Sequence, residues 1–216
     1  MLSVSTTARH SIASAATTPR RARTHSCRRD SANDPSASES LTHQMSIFFT
    51  SDHHFGHGGA LGLYRRPFES VAGMDRRMIE CWNSVVGRED QVWHLGDFAV
   101  RQRPERVAWL LATLHGRKHL IIGNNDDAAV TGSAGWETVQ PYCEVSIDSR
   151  HLVLCHYPFR TWRNSGKGWI NLHGHSHGRL KPLPRQFDVG VEVCDFRPVQ
   201  LAELLGGANY GSAPRS

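Results

Sequence analysis

The chain has 216 residues, 39% hydrophobic and 21% charged, which is enough for one domain with a sizeable core. No apolar run nears the roughly 18 residues of a membrane span, and five scattered cysteines without a CxxC pair indicate neither a disulfide framework nor a zinc ribbon, so a reducing, cytoplasmic compartment is expected. The formal charge of +5 does not indicate nucleic-acid binding, because residues 1–44 hold six arginines and three acids, a net +3, and leave only +2 for the rest.

Residues 1–44 are rich in Ser, Thr, Ala and Arg, with no acid before Asp30 and no sustained apolar periodicity, which predicts a disordered extension. Such a composition also resembles an organellar transit peptide. Met45 stands just before the first clear strand and the extension has no apolar helix face, which favours Met45 as the natural start and residues 45–216 as the domain.

Residues 46–50 predict a strand ending at the polar cluster Ser51-Asp52-His53-His54-Phe55-Gly56-His57. Met74, Met78, Ile79 and Trp82 recur at helical spacing and predict a helix over 70–86 that Gly87 terminates. Residues 91–95 predict a strand running into Gly96-Asp97. A helix over 104–115 follows, with Pro104 in its first turn, Gly116 beyond its end, and Val107, Leu110, Leu111 and Leu114 on one face. Strands over 118–122, 151–155 and 169–172 then end at Gly123-Asn124-Asn125-Asp126, at His156, and at His173-Gly174-His175-Ser176-His177. Residues 187–193 predict a further strand and 198–205 a short closing helix. The alternation of strands and helices argues an α/β architecture.

Five strands thus end in polar turns, and in such sheets ligands bind beyond the strand ends. The groups gathered there would be Asp52, His54, Asp97, Asn124, His156, His175 and His177: four imidazoles, two carboxylates and an amide. Mixed imidazole and carboxylate ligation suits manganese, iron, zinc or nickel, whereas calcium and magnesium prefer oxygen cages. Seven ligands are too many for one such ion. If Asp97 bridges two, each ion receives four protein ligands and keeps open positions. Two divalent ions against two carboxylates leave about +2, which attracts an anionic substrate and points to phosphate ester chemistry.

The series Asp52-His53-His54-Phe55-Gly56-His57, Gly96-Asp97, Gly123-Asn124, His156 and Gly174-His175-Ser176-His177 resembles the signature of calcineurin-like metallophosphoesterases, over residues 46–205. Asn83 to Gly87, Val92 to Phe98 and His156 to Pro158 are similar to the family's small bacterial and phage-type members. The resemblance implies two facing mixed sheets flanked by helices, a four-layer αββα sandwich. It implies that Asp52, His54 and His177 hold one ion, that Asn124, His156 and His175 hold the other, and that Asp97 bridges them. It further implies hydrolysis of phosphate esters by in-line attack of a metal-bound hydroxide.

One position departs from the pattern, since the family's usual histidine after Gly-Asn is Asn125 here. An amide can donate to a phosphoryl oxygen but cannot deliver a proton near neutral pH. That favours diesters with good leaving groups, nucleotides among the candidate substrates, and leaves His57 as a group that could supply the missing acid. His53 is expected to point away, His94 and His173 to give buried support, His151 to be an exposed strand residue and Cys155 to pack as a small apolar group. Arg160, Trp162, Arg163 and Lys167 form either a phosphate or base grip or a solvated loop. The alternative function is a non-catalytic scaffold of the same fold, which would have no chemical reason to keep a complete ligand set.

Overall fold

The computed structural model describes residues 45–181 and 183–207, so the extension expected over residues 1–44 lies outside the described residues. Strand β1 (Ile47–Thr50) leads through the first polar cluster into the short helix α1 (Gly59–Leu63) and the longer α2 (Val71–Val85). Ser70 caps α2 by accepting a hydrogen bond from the Gly73 N–H at 3.1 Å. Met74, Met78 and Trp82, spaced by four, are buried. The helix ends because Val86, not Gly87, turns to extended backbone.

Strand β2 (Gln91–His94) precedes α3 (Pro104–Thr113), where Pro104 occupies the first turn and loses no hydrogen bond. Strand β3 (Arg117–Ile121), α4 (Ala128–Thr131), β4 (Thr138–Gln140), β5 (Tyr142–Ile147), β6 (Arg150–Cys155), β7 (Ile170–His173), β8 (Gln186–Asp188), β9 (Val199–Gln200) and α5 (Leu201–Gly206) complete the order. No helix among the described residues is long and apolar enough to cross a membrane.

The strands form two mixed sheets, one ordered β4-β3-β2-β1-β9 and one ordered β5-β6-β7-β8. In the first, β1 to β4 run parallel and β9 is antiparallel to β1. In the second, β6, β7 and β8 run parallel and β5 is antiparallel to β6. Side chains alternate across the pleat, so Phe48, Val92 and Leu120 pack with α2 and α3. Their neighbours Phe49, Trp93 and Ile121 pack with Leu152, Leu154, Ile170 and Leu172 of the second sheet. The first sheet is therefore apolar on both faces, as buried parallel strands require. This is the α/β architecture that the alternation of elements predicts, in the form of two mixed sheets flanked by helices that the resemblance implies.

Two further expectations need correction. The apolar run 187–193 is not one strand: β8 ends at Asp188, and Val191–Val193 forms a 3-10 turn. The Val189 N–H still bonds His173 O at 2.8 Å, but the Val191 N–H reaches Ser51 O at 3.2 Å, so the segment crosses from one sheet to the edge of the other. The closing helix is likewise shorter than 198–205, because Val199 and Gln200 pair with Phe49 and Phe48 of β1 before α5 starts.

Candidate metal centre

Because β1, β2 and β3 are parallel, their C-terminal ends share one edge, and the turns beyond them are laced together. The Asp52 N–H bonds Gly96 O at 2.9 Å and the His54 N–H bonds Asp97 O at 3.0 Å. In the second sheet the turns after β6 and β7 are joined by a bond from the Gly174 N–H to His156 O at 3.0 Å, and they meet this edge through the His175 N–H, which bonds Asp52 Oδ2 at 2.9 Å. Asp52, His54, Asp97, His175 and His177 all lie in the left-handed region, with φ of 60°, 52°, 58°, 66° and 47°. Each such non-glycine backbone costs of order 1–3 kcal/mol and persists only where the surroundings enforce it. Five of the seven candidate ligands carry that cost.

The glycines of the Gly-Asp and Gly-Asn pairs have a steric reason. Gly96 has φ of 93°, and a Cβ built there would lie 2.6 Å from Gly123 Cα; one on Gly123 would lie 2.3 Å from Asp97 Oδ1. Only bare backbone lets these two turns approach closely enough to bring Asp97 beside Asn124.

Asp52 is fully buried, and its Oδ2 accepts from Ser51 Oγ at 2.6 Å and from the His175 N–H at 2.9 Å. Its Oδ1 has no hydrogen-bond partner and faces His177 Nε2 at 3.7 Å and His54 Nε2 at 3.9 Å. Asp97 spans the centre, with Oδ2 at 3.4 Å from His54 Nε2 and Oδ1 at 3.7 Å from His156 Nε2. His156 Nδ1 faces Leu95 O at 2.8 Å, and a carbonyl partner places the ring proton there. Its Nε2 lone pair then lies 3.0 Å from Asn124 Oδ1, also an acceptor. His175 and Asn124 are the more exposed groups, and the His175 ring centroid is 5.1 Å from that of His156.

Acceptors facing acceptors repel unless a cation lies among them, and a buried orphaned oxygen is costly. The donor set therefore fits divalent ions, with Asp52, His54 and His177 as one group able to hold an ion and Asp52, Asp97 and His156 as another. Electrostatics agree. Burial pushes the Asp52 carboxyl well above its ordinary range, with Asp188, Glu192 and Asp97 adding repulsion against the Ser51 hydrogen bond, so its charge calls for a counter-ion. Burial also holds His54 down to about 2 and lowers His156, which leaves both imidazoles neutral and able to ligate.

The structure brings all seven predicted ligands to one edge. Asn125 lies there too, but its Nδ2 donates to Asp97 Oδ2 at 2.6 Å and its N–H to Asp97 Oδ1 at 2.8 Å, so the amide is engaged with the central carboxylate. The His57 ring is 5.4 Å from that of His54. Partial burial, aided by Arg66 and Arg101, lowers its pKa, so at neutral pH it offers a lone pair rather than a proton. His53 points into the core, bonding His94 at 3.0 Å, and His173 is buried with Nδ1 at 2.8 Å from Gly174 O. His151 is exposed and stacks on Trp169 at 4.6 Å; Cys155 is buried. Arg163 pairs with Glu144 and Trp162 donates to Trp169 O at 3.0 Å, while Arg160 and Lys167 are solvent-exposed.

Four supporting residues escape the sequence reading. Asp126 Oδ2 accepts from the N–H groups of Asp97 at 2.9 Å and Gly123 at 2.8 Å, and its Oδ1 from the Phe98 N–H at 2.8 Å, tying both turns together. Burial raises its carboxyl to about 6. Tyr64 stacks on His177 with centroids 3.6 Å apart, and Arg66 and Glu192 form a buried pair behind it. Glu192 had a sequence signal, since an acid set between two valines in a largely apolar run has to find a partner. Arg66, one of two adjacent arginines, had none.

No protein-family model matches the chain. The gene 66 protein of Mycobacterium phage D29 is 32% identical over 201 residues, covering 76% of this chain and 98% of the phage protein. An uncharacterised protein of Methanocaldococcus jannaschii, MJ1445, is 29% identical over 178 residues, covering 79% of this chain and 95% of that one. Among solved structures, AQ665 of Aquifex aeolicus, a protein of unknown function, matches with a TM-score of 0.61 at 20% identity, over 76% of this chain and 100% of that one.

Two mixed sheets flanked by helices, with histidine- and carboxylate-bearing turns gathered on one edge, define an α/β protein with a candidate metal centre beyond its strand ends. The chain belongs to one family with the gene 66 protein of phage D29, and its five motifs, in order and gathered on that edge, resemble those of calcineurin-like metallophosphoesterases.

Proposed function

We propose that the chain is a metal-dependent phosphoesterase that hydrolyses phosphate diesters at a binuclear centre. One observation carries the reading. A single buried carboxylate, Asp97, turns one oxygen toward His54 and the other toward His156, the geometry that a ligand shared by two ions needs. Asp52, His54 and His177 would hold one ion and Asn124, His156 and His175 the other, as manganese, iron, zinc or nickel. Bound ions would supply an activated water and neutralise charge developing on the phosphoryl group.

The chain's own groups do the rest. Neutral His54 and His156 keep their lone pairs available at physiological pH, Asp126 fixes the turns that carry Asp97 and Asn124, and Asn125 orients the Asp97 carboxylate. Neither Asn125 nor neutral His57 is suited to protonate a leaving group, which favours diesters whose leaving oxygen needs no proton, with nucleotide diesters as the first substrates to try. Residues 45–216 are the proposed catalytic unit. A cytoplasmic site of action is consistent with Cys81, Cys143, Cys155 and Cys194 all being free.

The test is metal analysis of purified protein with hydrolysis of bis-p-nitrophenyl phosphate and a nucleotide diester panel in manganese. Two ions per chain and activity abolished by chelator are expected. At most one ion with no activity after reconstitution would overturn the reading and favour the scaffold.

A further inference from the structure

Arg66 has a completely buried side chain, in the bend after α1, and Glu192 lies in the 3-10 turn after β8. Glu192 Oε1 accepts from Arg66 Nε at 2.8 Å and lies 2.6 Å from Nη2. The guanidinium does not stop at that pair. Its Nη2 donates to Asp52 O and its Nη1 to His53 O, both at 2.6 Å, so the strained turn carrying Asp52 and His54 hangs on one cation. Glu192 is divided in the same way, with its other oxygen, Oε2, 3.0 Å from His177 Nδ1.

A neutral imidazole has two tautomers, and the choice decides whether His177 can ligate. With the proton on Nδ1, on the side of Glu192 Oε2, the Nε2 lone pair faces the orphaned Asp52 Oδ1 at 3.7 Å. With the proton on Nε2, the ring would donate toward that oxygen and cancel two candidate ligands at once. The Tyr64 ring, stacked on His177 within 13° of parallel, holds the plane of the imidazole.

We propose that Glu192 and Arg66 are positioning residues of the first metal subsite, Glu192 selecting the His177 tautomer that presents Nε2 and Arg66 anchoring the Asp52 to His54 turn opposite it. The proposal rests on the metal-centre reading above. An ordinary buried ion pair would need only its two partners; here each partner spends a second contact on a different wall of one subsite.

Glu192→Gln is the test, because it keeps the volume, lets the amide oxygen still accept from Arg66, and turns an amide N–H toward His177 Nδ1. Ring nitrogen NMR of the metal-free protein should find His177 with Nδ1–H in the native chain and with Nε2–H in Glu192→Gln. Calorimetric titration with Mn²⁺ should find one of two sites weakened 10- to 100-fold. Arg66→Gln/Glu192→Gln restores the charge balance and should stay weakened; regained affinity in that double variant would mean that Glu192 acts only by neutralising Arg66, and would overturn the proposal. An Nε2–H tautomer in the native chain would also overturn it. Native protein that binds no Mn²⁺ sinks the metal reading and this proposal with it, whereas native binding with an unchanged Glu192→Gln isotherm sinks the proposal alone.

Discussion

A methyl group at Gly123 has nowhere to go: it would fall 2.3 Å from Asp97 Oδ1 and 2.4 Å from the Asp97 nitrogen. Since Asp97 faces both halves of the centre, Gly123→Ala should abolish binding of both ions while the distant helix-packed core still folds. Metal content and circular dichroism check this, and two ions retained would mean that the turns have slack. Asn125 is one residue from a candidate ligand and bonded to Asp97, so it invites a second test. If leaving-group protonation is what the chain lacks, Asn125→His should raise turnover of alkyl esters by about 10²- to 10⁴-fold and barely change p-nitrophenyl esters. A parallel loss on both ester types would show instead that Asn125 serves by holding Asp97. These roles were legible unequally. The seven candidate ligands could be picked out because their chemistry and order are distinctive, but Asn125 read as a phosphate contact, and no local pattern told that its amide meets a carboxylate first.

Between the first polar turn and β2 lies a buried imidazole pair whose protonation can be reasoned out. The Gly96 N–H donates to His94 Nδ1 at 3.2 Å, so His94 carries its proton on Nε2 and donates to His53 Nδ1 at 3.0 Å. Burial holds His94 down to about 3 and His53 well below its ordinary 6.5. Below pH 6.5 the unfolded chain therefore binds protons that the native chain refuses. Stability from this pair is complete above pH 6.5 and is lost as pH falls from there toward 3. Metal-free protein should lose on the order of 2 kcal/mol per such imidazole between pH 6.5 and 5, measured as a falling urea midpoint. His94→Gln should flatten that slope by one proton, and an unchanged slope would place the titration elsewhere. At this scale sequence patterns served well where one face is apolar, as in α2 and α3, and served poorly where a segment changes partners. The run 187–193 looked like one strand because its valines alternate, yet its hydrogen bonds pass from His173 to Ser51. The short β4 and the edge strand β5 carry exposed Val139 and Tyr142, and give no clean alternation to read.

The candidate centre takes Asp52, His54, Asp97 and Asn124 from turns of one sheet and His156, His175 and His177 from turns of the other, so ions held there would join the two halves of the inter-sheet core. Without ions, the same edge gathers an unpartnered Asp52 oxygen and mutually repelling carboxylates. Ligation would exist only in the native state, since the strained turns that aim these groups exist only there, and so binding would stabilise folding. One ion at about 100 times its dissociation constant contributes about 2.7 kcal/mol, which for a domain of this size corresponds to a melting temperature higher by roughly 5–11 °C. Scanning calorimetry of manganese-loaded protein against the same sample in chelator should find at least that difference. The control separates specific ligation from general salt effects: Asp97→Ala, which removes the group facing both subsites, should melt at one temperature with or without manganese. A native melting temperature indifferent to chelator would mean that the two sheets are held by their apolar interface alone, and that no ion is part of the folded state.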